Sequence, residues 1–131
     1  MASKITDAAN AAEGNLDDPK NHLPSWLFVE DIDAQHLYID GKPVYPNVLP
    51  IVVMLFQPEG ALDIQRQTQQ AERIDRDIRS VIGPVADQVQ ISCIMLDVPG
   101  DHCGGSGAIW RLPQIAAIAG FQHLTHLVKA A

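Results

Sequence analysis

The sequence predicts an α+β domain whose sheet is mainly antiparallel or mixed, with one long amphipathic helix packed on one face. Three observations point there. Ala61 to Ile82 carries an apolar period of 3.6 residues. Two β-prone apolar runs, Leu49–Phe56 and Gln88–Leu96, flank it. An Asp40-Gly41 dipeptide separates two further β-prone stretches, as in a tight hairpin. With 131 residues the chain has the length of one ordinary domain, able to fold without disulfide or metal staples. We divide it into an N-terminal arm, residues 1–22, and an α+β domain, residues 23–131.

In chain order, residues 4–13 predict a short helix. Ala8, Ala9, Ala11 and Ala12 favour it, and Ile5 gives it a weak apolar stripe. Asp17-Asp18-Pro19-Lys20-Asn21 reads as a polar linker, so the arm is expected to lie outside the core. Trp26-Leu27-Phe28-Val29 predicts a strand by β-propensity. Leu37-Tyr38-Ile39 and Lys42-Pro43-Val44-Tyr45 predict the two arms of the hairpin, with Pro43 placing it at an edge.

Leu49 to Phe56 is apolar at successive positions, which predicts a strand covered on both faces. In the long helix, Ile64, Ala71, Ile74, Ile78, Val81 and Ile82 fall on one side, and Arg66, Arg73, Arg76 and Arg79 on the other. Gly83-Pro84 ends it. Val89, Ile91, Cys93 and Met95 alternate with their neighbours in a second strand, half exposed at its start and buried on both faces at its end. Strand, helix and strand also suit one β-α-β crossover with the two strands parallel. Val98 to Gly107, with four glycines, predicts a mobile loop, and Ala108 to Leu112 a short strand. Residues 114–129 suit helix slightly better than strand. The expected core is Trp26, Phe28, Val52, Met54, Phe56, Ile74, Ile78, Ile91, Cys93 and Met95.

The net charge is -7, and the first 33 residues carry most of it, with seven acids against Lys4 and Lys20. Phosphate-backbone binding depends on clustered Lys and Arg, so direct nucleic-acid binding is disfavoured, and so is docking on anionic membranes. No run approaches the roughly 20 apolar residues of a membrane span, and the first residues lack the apolar centre of a signal peptide.

Chemistry-bearing residues converge on one region. His102 and Cys103, in the loop Asp101 to Gly107, with His123 and His126, have the donor types that zinc accepts. Their spacing fits no tight zinc pattern, and no third group orients a Cys–His pair for nucleophilic work. The glycines at 104, 105 and 107 match neither nucleotide-binding loop pattern. No catalytic residue, resident metal or cofactor is assigned. A small metal-binding or Cys/His-dependent enzyme centred on residues 101–107 is the alternative reading.

The layout resembles that of small bacteriophage virion proteins of the neck and tail end, of the tail-terminator or tail-completion kind. The features that match are the leading helix (Lys4 to Ala9), the proline-led apolar strand (Leu49 to Val53), the polar amphipathic helix (Gln65 to Ile82) and a closing sheet region (Gln88 to Leu96, then Ala108 to Leu112). The resemblance is one of size and element order. It implies a non-enzymatic ring component, assembled in the host cytoplasm into the virion, that docks on copies of itself and on neighbouring structural proteins. Without it the expected location is simply cytoplasmic. The candidate contacts are Asp17 and Asp18 of the acidic arm, Arg66, Arg73 and Arg76 of the helix, and Asp101 and Trp110 of the glycine-rich region.

Overall fold

The computed structural model describes residues 1–13, 25–44 and 46–130. It is an α+β fold built around one β-α-β unit. Strand β3 (Leu49–Pro58) leads into helix α2 (Ile64–Ile82), which returns the chain to strand β4 (Val89–Val98). The two strands pair in parallel over ten residues, from Leu49 opposite Val89 to Pro58 opposite Val98. The main ladder is therefore parallel, where a mainly antiparallel sheet was one expectation. A connection containing a 19-residue helix is long enough to return the chain to the same end of the sheet, which a parallel partner requires.

Helix α2 begins where the Asp63 carboxylate accepts the Arg66 backbone N–H at 2.8 Å. It ends at Gly83, whose φ of 74° and ψ of -127° suit glycine alone. Its inner face buries Ile74 and Ile78 against Val53, with Ile51, Leu55, Ile91 and Cys93 alongside. Ile64 and Val81, expected on that face, are exposed.

Helix α1 (Ala2–Ala12) corrects the expectation of an arm outside the core. Ile5 and Ala8 are buried in the same cluster as Ile74 and Ile78. Alanine at position 8 lets α1 approach α2 closely, and the Lys4 ammonium donates to Ser80 Oγ at 3.0 Å. The remainder of the arm, with Asp17 and Asp18, lies outside the described residues.

Strands β1 (Tyr38–Ile39) and β2 (Lys42–Pro43) form the expected hairpin, with Asp40 and Gly41 both at positive φ. Strands β5 (Gly104–Gly105) and β6 (Ala108–Ile109) form a second one, where a mobile loop was expected. Ser106 and Gly107 make its turn at positive φ, and the Trp110 indole N–H donates to the Gly105 carbonyl at 2.8 Å. Helix α3 (Leu112–Ala119) follows, ended by Gly120 in the left-handed conformation, and helix α4 (Thr125–Ala130) closes the described chain. The tail is thus helical. A second apolar cluster joins Ala61 and Leu62 to Ile115, Ala116, Ala119, Phe121 and Leu124.

Residues 26–29 form no strand. Trp26 and Phe28, expected in the core, are 80% and 84% exposed, their rings stacked with centroids 6.4 Å apart. β-Propensity records how well a side chain suits a half-buried pleated surface, and here no described strand lies alongside to supply one.

Candidate assembly surface

Successive side chains of a strand point to opposite faces, so the β3–β4 ladder sorts its residues into two sets. Ile51, Val53, Leu55, Ile91 and Cys93 face the helices. Val52, Met54, Phe56, Ile94 and Leu96 face the other way, and all five are exposed. Val52 sits opposite Ser92, Met54 opposite Ile94, and Phe56 opposite Leu96. The apolar side chains therefore form one continuous patch on the face away from the helices. This corrects the expectation of strands covered on both sides, and with it the placing of Val52, Met54 and Phe56 in the core. Met95, also expected there, is only half-buried.

Parallel sheets occur almost only with both faces covered, because their crossover connections place helices there. Here a single crossover puts α2 and α1 on the same side, and no described element lies over the other. Among the described residues the two strands pair only with each other, and no described strand extends either outer edge.

The other candidate contacts are placed as follows. Arg66 Nη1 donates to the Ala12 carbonyl at 3.1 Å, tying α2 to the end of α1. Arg73 and Arg76 both lie near Asp77, at 3.5 and 3.6 Å, so their charge is shared within the helix. Asp101 stands 3.7 Å from the exposed His102 ring. Trp110 is partly buried and packs against the second apolar cluster.

The Cys/His group does not assemble. Among the described residues no three of the His, Cys, Asp and Glu side chains are placed to hold a metal ion. Cys103 packs on the second apolar cluster, while His102 and His126 are exposed. His123 donates from Nε2 to the Ala61 carbonyl and stacks on Phe121, which makes it a packing residue between α3, α4 and the turn before α2. Its Nδ1 is buried with no partner among the described residues. Burial pushes the Cys93 thiol above its usual range, the reverse of nucleophile activation.

Among the described residues one titratable group is strongly displaced. Burial at the end of α1 pushes the Glu13 carboxyl up to about 7, since the charged form loses its water. No described helix is long and apolar enough to cross a membrane.

Sequence reasoning missed Ile94 and Leu96 as surface residues and took the patch on β3 for core. The available signal was stoichiometric: Val52, Met54, Phe56, Ile94 and Leu96 give the strand pair a second apolar face, while the sequence holds one long amphipathic helix to cover both. No family model matches the chain, and no curated protein matches it.

Proposed function

We propose that the chain is a non-enzymatic structural protein that works as a homo-oligomer, a ring-forming virion component of a phage neck or tail end that docks on neighbouring subunits. The observation that carries the oligomeric part is the bare apolar face of Val52, Met54, Phe56, Ile94 and Leu96. A parallel sheet left half-uncovered is a surface that association completes, since burying it recovers roughly 25 cal/mol per Å² of apolar area. The virion setting rests on the likeness of size and element order to neck and tail-completion proteins.

The two parts are tested together by imaging and by localisation. Electron micrographs of the purified protein are expected to show closed rings of constant subunit number. Antibodies to the chain are expected to label the head–tail junction or tail end of the particles that carry it. Single subunits at every concentration would overturn the oligomeric part, and particles free of label would overturn the virion setting.

A further inference from the structure

Two unpartnered apolar features occur in the same chain, and they are of different kinds. One is the sheet face just described. The other is the segment from Ser25 to Ile32, which carries Trp26, Phe28, Val29 and Ile32, all well exposed, and belongs to no helix or strand. From these we infer that the segment of one copy lies on the bare β3–β4 face of a second copy, with the stacked Trp26 and Phe28 rings against Met54, Phe56, Ile94 and Leu96. The inference rests on the assembly reading above and names the partner surfaces within it.

Four observations carry it. Within its own copy the segment starts on the helix side of the sheet, where Ser25 Oγ donates to Asn10 Oδ1 of α1 at 2.6 Å. From there its rings remain in water instead of reaching the opposite face. The spacing also agrees. Trp26 and Phe28 are two residues apart and stack on one side, as Val52, Met54 and Phe56 are two apart along one side of β3. Charge agrees too. The ring-bearing run Ser25–Val29 and the patch from Val52 to Leu96 on the bare face hold no ionised side chain, although each copy carries -7; the segment's two acids, Glu30 and Asp31, follow that run. Two such copies meet at least cost where both are neutral.

Area is the fourth. Aromatic side chains bury about 150–250 Å² each, so Trp26, Phe28 and Phe56, each at least 70% exposed, remove on the order of 450 Å² between them. The aliphatic residues and the backbone of the segment take the total towards the roughly 1,200 Å² at which stable interfaces begin. Because segment and face are separate surfaces, the contact is heterologous. Each copy gives its segment to one neighbour and its face to another, which closes into a ring or extends as a filament.

The experiment uses two full-length variants, Phe28→Asp in the segment and Phe56→Asp on the face, with Trp26→Ser and Met54→Ser as milder versions. All four positions are exposed, and circular dichroism checks that each variant melts like the parent. Each single variant is expected to raise the concentration needed for assembly by about tenfold or more, the loss typical of a central aromatic anchor. Mixing the two is expected to restore one contact, between the intact face of the first and the intact segment of the second, giving a 1:1 heterodimer and nothing larger. If the face variant dissociates while the segment variant assembles normally, the faces pair with each other and the inference is overturned. The same holds if mixing restores nothing. If the parent itself is monomeric, the assembly reading fails along with it.

Discussion

Met54 and Ile94 stand opposite each other at the centre of a parallel ladder, and 53% and 43% of their surfaces remain open to solvent. One residue along each strand, Val53 and Cys93 form the next pair and face α2. The same backbone thus presents a packed side and a bare side, and the two should respond differently to truncation.

Ile78 lies at the helix–sheet boundary with almost no exposure. Ile78→Ala is expected to leave a cavity and to cost about 2–5 kcal/mol of stability. Met54→Ala, on the bare side, is expected to cost a free subunit less than about 1 kcal/mol. Urea unfolding of the dissociated subunit compares them, and equal losses would show that the bare face is covered.

Helix α1 contributes Ile5 and Ala8 to the core, so its removal exposes Ile74 and Ile78. Ala8→Asp places a carboxylate against them without a partner and is expected to cost roughly 3 kcal/mol or more. Deleting residues 2–12 is expected to lower the melting temperature sharply. A truncated chain that melts like the parent would return α1 to the status of an appendage.

Glu13 gives the stability a pH dependence with a definite sign. Its carboxyl holds a proton up to about pH 7 in the folded chain, against about 4.5 for an ordinary glutamate. Between these values the folded state binds more protons than the unfolded one, so stability is greatest below about 4.5 and falls as pH rises through 7. The span corresponds to a loss on the order of 3 kcal/mol. Glu13→Gln is expected to remove this slope and to stabilise the chain at pH 7.5. A slope unchanged in the variant would assign it to another group.

His123 and the loop histidine separate packing from ligation. His123→Ala loses the bond to the Ala61 carbonyl and the stack on Phe121, at an expected cost of about 1–2 kcal/mol. His102→Ala, at an exposed site, is expected to change little. Chelators are expected to leave the melting temperature of the parent unaltered. Stoichiometric zinc lost in both variants would instead support the metal-site reading.

The strand–helix–strand unit was legible because local pattern alone specifies it: the β-prone runs Leu49–Phe56 and Gln88–Leu96 on either side of a 3.6-residue period, with Gly83-Pro84 to end the helix. The first hairpin was legible from Asp40-Gly41, which the turn chemistry requires. The side of the sheet on which the helices lie was not legible. Apolar residues at 52, 54 and 56 read the same whether the chain's own helices or another copy covers them. Position 28 posed the same difficulty, since a phenylalanine for an interface and one for a core have the same propensity. The second hairpin was hidden for the opposite reason, because Gly104 and Gly105 carry no strand signal and pair only through the Ser106-Gly107 turn. The packing of α1 depends on Ala8, whose small side chain gives a weak stripe but a close approach.

The central claim is that the bare sheet face is a subunit interface, and sedimentation velocity tests it most directly. The parent and a Met54→Ser, Phe56→Asp double variant are run side by side at equal concentration. The account predicts that the parent sediments as a discrete oligomer, at a multiple of the 14.3 kDa subunit, and the folded variant as single subunits. A parent that sediments at 14.3 kDa, or a variant that assembles as well as the parent, would contradict it.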